Sequence, residues 1–575
     1  MKMYNDPGKD FNDAFVKGAQ NFKKRTAGKR FSFNEFFTKL EESMNNSSGK
    51  GKIKRVSPII ILLITLVIMF INFFLTLPAL NPMAPEFYAF LIMGIIIFAV
   101  LNTFFGKLSI FKTLKFSGIG ILALIIIPAL GSIFSAPFFS AKSYANLIKV
   151  EDAEFADTVK TINVSQIPIV DREAAIYIGD KKMGSISELV SQFVIDDNYT
   201  QLNVNNKAMR VTPLKYNDLI KYFMNMKNGI QYYVNVNMAT QEANLVKLNE
   251  PIFYSKSDIL MRNINRKIRF QYPFDMLAET NFEIDDEGNP FYVTPVLTKR
   301  IKLFGGLDAN GVIITNGNTG KSVKYELGNI PEWVDRVFPS ELIIEQLNFR
   351  GLYRDGFINS VFGQKNVTKT TFGYNYIPMN NDIYLFTGVT SVRSDASNLG
   401  FYFVNLRTKE SKFFSVPSAD EQSAMKTSEG AVQEKNYYAT FPILLNINNK
   451  PVYLMALKDN TKTAKMYSLV DAANFTNVST GTTIQEAMLK FDASYSPDNV
   501  PGKDAGDRTI KVAMIQSMVI DGNTIFYIKA EGDDTIYVAT AKQLGSSIAF
   551  VKEGDSLNIY GNPRDKQFDI LEIKP

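Results

Sequence analysis

VSPIIILLITLVIMFINFFLTLPAL, residues Val56 to Leu80, contains no charged side chain. As a helix rising ~1.5 Å per residue it reaches roughly 37 Å, more than the ~30 Å hydrocarbon core of a bilayer. Two more uncharged runs follow, Phe87–Phe105 and FSGIGILALIIIPALGSIFSAPFF (Phe116–Phe139), and Glu86 is the only charge between Val56 and Gly106. A signal peptide has a shorter apolar centre and does not stand behind a 55-residue polar tail. The three runs therefore read as membrane spans.

Flanking charge sets their direction. Residues 1–56 carry thirteen Lys/Arg against six Asp/Glu and end in KGKIKRV (Lys50–Val56). The connection between the second and third runs holds Lys107, Lys112 and Lys115, whereas NPMAPE between the first and second has no basic residue. Basic connections face the cytoplasm. Three crossings then place the chain after about residue 141 outside.

Two amphipathic segments are legible in the tail. Ser32-Phe33-Asn34-Glu35 has the form of a capping box, so a helix is expected over Phe33–Ser43, with Phe33, Phe36, Phe37 and Leu40 on one face. Phe11, Phe15 and Phe22 form a weaker stripe among Lys17, Lys23, Lys24 and Arg25. Aromatic residues inward and lysines at the headgroups suit an anionic lipid leaflet, with docking on a protein partner or on the spans as the alternative. NNSSGKGK (Asn45–Lys52) reads as a flexible linker.

The chain has neither cysteine nor histidine. Thiol nucleophiles, Ser-His and Cys-His arrangements, and His/Cys zinc sites are thereby excluded. The net charge of +6 is concentrated in the first 115 residues, leaving 47 basic and 50 acidic residues beyond them and no footprint for a polyanion. A cysteine-free exterior of this size fits a bacterium, of the Gram-positive kind, better than a eukaryotic cell surface. The sequons at Asn163 and Asn366 are then chance matches.

GVIITNGNTGKSVKYEL (Gly311–Leu327) contains Gly320-Lys321-Ser322, the tail of a P-loop. A Walker A loop needs glycine where Thr315 stands and must feed a helix, whereas SVKYEL alternates like a strand. NGNTGK is instead expected to be the turn of a hairpin.

In the outer region, Ser185–Phe193 and Tyr216–Lys227 are helix candidates, YYVNVNM (Tyr232–Met238) alternates as a strand, and Ser257 is expected to cap a helix through Arg266. From about residue 280 a pattern of strand, strand, tight turn, strand and helix recurs three times. Its helices fall at Ile330–Val337, Pro417–Lys426 and Thr482–Phe491. The final segment offers five strands from Arg508–Ile520 onward, with a gap after the third, in the manner of an OB barrel. Its Phe526, Tyr527 and Tyr537 alternate, which fills a barrel more readily than it builds a stacking platform. Asp285-Asp286-Glu287-Gly288-Asn289 is too short for an EF-hand loop and reads as an acidic turn. Asp196-Asp197 reads likewise, and Trp333, the sole tryptophan, reads as a packing anchor on a short helix.

The expected fold is a multi-pass α-helical membrane anchor of three transmembrane helices plus a large extracytoplasmic α+β region with antiparallel sheets, ending in an OB-like β-barrel. Its expected divisions are a basic cytoplasmic tail (1–55), the transmembrane region (56–140), two extracytoplasmic α+β domains (141–275 and 276–500, the latter carrying the hairpin-helix pattern) and the barrel (505–575). No catalytic, cofactor-binding or metal-binding residue stands out, and no cofactor is expected. The expected role is non-catalytic: a plasma-membrane protein of a bacterial envelope whose outer domains bind protein or cell-wall partners or self-assemble as a homo-oligomer. Its expected partners include the lipid bilayer but neither nucleic acid nor nucleotide. A transmembrane sensor and an envelope enzyme using carboxylates alone are the alternatives.

Overall fold

The computed structural model describes residues 55–575, apart from 160–166, 185–186, 205–206, 380–381, 394–396, 448, 492–505, 521–522, 565–566 and 575. The tail helix expected over Phe33–Ser43, the Phe11–Phe22 stripe, the Asn45–Lys52 linker and the Asn163 sequon lie outside the described residues. The described residues form two compact units, one within 55–78 and 85–129 and the other within 79–84 and 130–574.

The first unit is built on helices α1 (Pro58–Thr76), α2 (Pro85–Phe105) and α3 (Ile110–Ser135, whose end from Leu130 belongs to the second unit), all long and apolar enough to cross a membrane. Ser57 caps α1, and Pro58 takes a first-turn position where a missing N–H costs nothing. The helix ends at Leu77 in a left-handed conformation, ahead of Pro78. Ile59, Phe70, Phe116 and Ile119 are exposed, so these helices carry large apolar surfaces not covered by protein among the described residues. Phe73 of α1 meets Phe90 of α2 edge-on at 6.3 Å. Asn102 Nδ2 donates to Thr113 Oγ1 at 2.6 Å, a buried polar tie from α2 to α3. Helix α3 begins six residues before its uncharged run, because Lys112 and Lys115 are good helix formers that extend the helix toward polar surroundings.

The second unit contains four antiparallel meanders of one plan. In each, two short segments pair side by side on one long strand, and two further strands follow. In the first sheet, Phe193–Ile195 and Thr200–Val204 pair on Lys207–Tyr216, followed by Ile230–Asn237 and Ala243–Ile252. The second places Met276–Leu277 and Asn281–Ile284 on Pro290–Ile301, then Gly305–Asn316 and Ser322–Glu326. The third places Thr368–Thr370 and Asn375–Met379 on Asp382–Ser391, then Gly400–Asn405 and Ser411–Phe414, with Glu151–Ala153 added in parallel at the edge. The fourth places Tyr438–Ala439 and Ile443–Ile447 on Lys450–Lys458, then Ala464–Asp471 and Val478–Gly481. The hairpin pattern read from residue 280 onward corresponds to the second to fourth sheets, and the first shares their plan.

Period-two alternation explains how these sheets stack. Tyr292 and Val296 face a core shared with Val211, Val234 and Val236 of the first sheet. Val293, between them, faces a core shared with Leu385, Tyr402 and Val404 of the third. Phe386, Phe401 and Phe403 turn the other way and join Leu444, Tyr453 and Leu469 of the fourth. The middle sheets are thus buried on both faces, which is why GFYFVN and DIYLFTGV read as unbroken apolar runs. The fourth sheet meets the chain at and before the first sheet through Ile167 and Ile169, which pack against its core, and through polar contacts. Gln241 Nε2 donates to the Tyr467 hydroxyl at 2.7 Å, and Lys458 pairs with Asp171.

The chain closes with a five-stranded barrel in the order Gly506–Ile520, Asn523–Ala530, Ile536–Thr540, Gln567–Lys574, Ser556–Arg564. The third and fifth strands of the sequence run parallel, and two short helices (Ala541–Leu544, Ser546–Ala549) fill the gap after the third. Tyr537 is buried inside and Phe526 packs against the same core.

Several local expectations are corrected. The Ser185–Phe193 helix is reduced to Ser187–Val190 among the described residues, because Phe193–Ile195 is recruited to pair with Leu214–Tyr216. A helix missed in the sequence, α5 (Arg172–Gly184, with α4 at Pro137–Ala145 before it), is opened by Asp171 Oδ1 accepting from Ala174 N at 2.9 Å. Tyr216–Lys227 narrows to a helix at Leu219–Asn225 capped by Asp218. Asn263, not Ser257, caps the helix Ile264–Gln271. Ile330–Val337 is not helical: the helix starts at Ser340, after Pro339, and runs to Tyr353.

Candidate functional site

The four sheets surround two adjoining cavities, of about 320 and 200 Å³, that share Arg210, Tyr374 and Tyr376 as a common wall. Their linings draw on every sheet: Thr200 and Arg210 from the first, Asn281 and Pro295 from the second, Tyr376 from the third, Ile443 and Leu454 from the fourth. The short split strands are the innermost elements, so side chains at their positions are delivered to the centre.

Three arginines line the larger cavity, Arg172, Arg210 and Arg336. Arg172 starts α5 and donates through Nε to Asp197 O at 3.1 Å. Arg210 sits at the inward phase of its strand, between buried Ala208 and Thr212, and is 7% exposed. Its Nε donates to Val170 O at 2.9 Å and its Nη2 to Gln201 Oε1 at 3.2 Å. Burial holds this guanidinium down to about 10, against the pull of Asp171. Arg336 lies over the Tyr376 ring, 4.3 Å from its centroid. Burial opposes ionisation of the Tyr376 hydroxyl, yet the Arg336 charge and hydrogen bonds from Ser340, Arg336 and Tyr374 carry it below the ordinary tyrosine value. Tyr374 donates to Glu341 Oε1 at 2.9 Å, and burial with these neighbours raises it well above that value.

Two buried acids lie behind Arg336. Asp335 Oδ2 accepts from Asn203 N at 2.7 Å, and Glu283 Oε2 accepts from Asp335 N at 3.2 Å. Desolvation pushes Glu283 up to about 7 and, together with Glu283, raises Asp335 well above the carboxylate range. Glu283 Oε1 is buried without a hydrogen-bond partner among the described residues. The rim carries Glu279, which accepts from Asn198 Nδ2 at 2.9 Å, and Glu341.

The residues weighed from sequence fall elsewhere. NGNTGK joins two strands (Thr315↔Ser322), with Gly320 at φ 67° and Asn316 Oδ1 accepting from the amides of Asn318 and Thr319. The strand after it, where a P-loop needs a helix, removes the nucleotide reading of this motif. Asp285 closes its own turn, its Oδ1 accepting from Glu287 and Asn289 N. Asp196-Asp197 follows the strand Phe193–Ile195 as a turn. Trp333 stands in a turn segment rather than a helix and packs on Phe291 at 4.9 Å. Among the described residues no group of three His, Cys, Asp or Glu is placed to hold a metal. Arg172, Arg210 and Arg336 were invisible to spacing arguments. The one sequence signal was an arginine in the inward phase of a strand, where cost favours an apolar residue.

No family model matches the sequence, and no curated protein matches it. Among solved structures, one of the dihydro-heme d1 dehydrogenase NirN in complex with DHE is 9% identical, with a TM-score of 0.11 over 63% of this chain and 44% of that one. The chain thus spans under half the length of that protein. A levansucrase mutant from B. megaterium is 10% identical, with a TM-score of 0.15 over 74% of this chain and 96% of that one.

Proposed function

We propose that the chain is a non-catalytic, membrane-anchored binding protein of a bacterial envelope of the Gram-positive kind. In this reading its N terminus is cytoplasmic and its large region extracellular, engaging protein or cell-wall partners or copies of itself. The observation that carries the placement is a pair of attachments within the second unit. Leu80 N donates to Pro273 O at 2.8 Å and Asn81 Nδ2 to Phe274 O at 2.9 Å, so the α1–α2 connection is built into the large region. Lys302 Nζ donates to Phe134 O at 2.6 Å and Phe304 N to Ser135 Oγ at 3.2 Å, clasping the end of α3. Gly131 makes room for this clasp, since a Cβ there would meet the Phe304 ring at 2.5 Å. In this reading both attachments belong to the outer side, the side whose connection lacks basic residues, which agrees with three crossings.

A membrane-facing surface is supported by an aromatic ladder running Phe349, Tyr353, Phe357 to Phe138, just past the end of α3. Binding is supported by the polar cavity among the sheets. The barrel is read as OB-like on its strand order, its parallel closing pair and its helices after the third strand.

Because the chain lacks cysteine, single cysteines report topology cleanly. Glu434→Cys should react with a membrane-impermeant maleimide on intact cells, and Lys50→Cys only after lysis. The opposite pattern would overturn the placement. Surface crosslinking should then recover stable partners or a homo-oligomer, and recovery of neither would count against the binding role.

A further inference from the structure

We propose that the larger central cavity is a binding site for a small anionic ligand, which presents a phosphate or carboxylate to Arg210 and Arg336 and hydroxyl or amino groups to the carboxylates on its rim. This rests on the binding reading above and names its ligand class.

The first ground is charge without a local partner. Arg172, Arg210 and Arg336 line one cavity, and among the described residues none has a carboxylate within the 4.0 Å ion-pair distance. Arg210 is anchored by a carbonyl and an amide oxygen through Nε and Nη2, leaving Nη1 with no protein partner among the described residues. A buried guanidinium without a counter-ion costs several kcal/mol, which an apolar side chain in the same strand phase would not. Fold stability alone therefore does not account for it.

The second ground is that Arg336 stays charged without a carboxylate in contact. Burial opposes its charge, but the Tyr376 hydroxyl beside it, and then Glu283 and Asp335 through space, raise it above the ordinary arginine value, while burial favours the protonated forms of the two acids. An arriving oxyanion would be the missing partner, and the planar fork of arginine suits bidentate pairing with it.

The third ground is division of labour around the walls. Arginines and Tyr376 define a cationic, donor-rich side, while Glu279 and Glu341 offer acceptors at the rim. A volume of about 320 Å³ suits a compact polar molecule. The Oε1 atoms of these carboxylates already accept from Asn198 and Lys256 and from Tyr374, and a ligand with one oxyanion and several hydroxyl or amino donors would engage their second oxygens as well as the arginines.

The test uses the full chain in nanodiscs, with sn-glycerol 3-phosphate and glutarate as anionic probes and glycerol as the neutral control, followed by calorimetry. Saturable binding of either anion, with none of glycerol, is expected, and the preferred anion tells phosphate from carboxylate chemistry. Arg336→Gln and Arg172→Gln should each weaken it about tenfold or more, the loss of one charge-assisted contact. Arg172 is exposed, so its variant tests the site without threatening the fold, and an unchanged melting temperature without ligand checks Arg336→Gln. Failure of the folded wild-type chain to bind either anion, or binding in both variants equal to wild type, overturns the proposal. If that happens while Glu434→Cys is still labelled from outside, the ligand assignment falls and the envelope placement stands.

Discussion

The ammonium of Lys458, only 1% exposed, is held by the carboxylate of Asp171. The contact joins the end of a long strand in the fourth sheet to the residue that caps α5 ahead of the first sheet. The pair reinforces a junction where Ile169 packs against both the first-sheet and the fourth-sheet cores. Lys462 with Glu173, at 3.1 Å and exposed, adds little. Asp171→Ala leaves a buried ammonium unpaired and should lower stability by about 3 kcal/mol, less than a fully enclosed pair because Asp171 reaches solvent. Lys458→Met with Asp171→Ala should recover much of that loss. Melting temperatures of the single and double variants in nanodiscs check this, and equal losses would show that the pair does not couple the two segments.

Glu283 gives a pH dependence of definite sign. Its folded value, about 7, lies above its ordinary 4.5 because burial disfavours the carboxylate. The folded state therefore holds the proton more tightly than the unfolded chain. The associated stability is complete below about pH 4.5, declines as pH rises and is gone above about 7, a change of roughly 3 kcal/mol. Asp335, raised by the same burial, adds to the trend. Glu283→Gln should flatten the stability profile between pH 4.5 and 7 and stabilise the protein at pH 8. A profile as steep as wild type would remove Glu283 as its source.

Phe403 is fully buried between the third and fourth sheets, edge-on to Phe414 at 5.1 Å and to Phe386 at 5.8 Å. Phe403→Ala should cost about 3–5 kcal/mol, through lost transfer energy and a cavity the rigid sheets cannot close. Trp333→Phe, at a half-buried position, should cost far less. The urea midpoint of the near-ultraviolet dichroism of both variants ranks the two sites.

What the sequence revealed and what it hid divide along physical lines. Membrane-length helices were legible because a charge-free run has one strong meaning, and hairpins because turn residues such as Gly320 act locally. The segment Ile330–Val337 misled because Ile330, Trp333, Val334 and Val337 have helical spacing. Its amides are instead claimed by distant acceptors: Asp335 N by Glu283, and Val337 N and Phe338 N by Leu406 O. A tertiary hydrogen bond to a residue 52 positions away leaves no local trace. The same holds for the cavity. Arg172 heads a helix, Arg210 lies on a long strand and Arg336 in the segment before another helix; only tertiary packing brings them to one cavity, and that geometry is absent from their spacing.

Phe362 is 80% exposed and Ile358 70% exposed, on a short helical segment that follows Phe357. Phe357 touches Phe138, itself exposed just beyond α3, at 5.4 Å. Exposed aromatic residues are costly in water but sit favourably at the headgroup level of a bilayer. If the large region rests on the membrane there, Phe362→Trp in a Trp333→Phe background should fluoresce to the blue in nanodiscs and be quenched by brominated lipid. Glu434→Trp in the same background should be quenched far less. Equal insensitivity of both tryptophans to brominated lipid would place Phe362 in water and break the link between the aromatic ladder and the membrane surface.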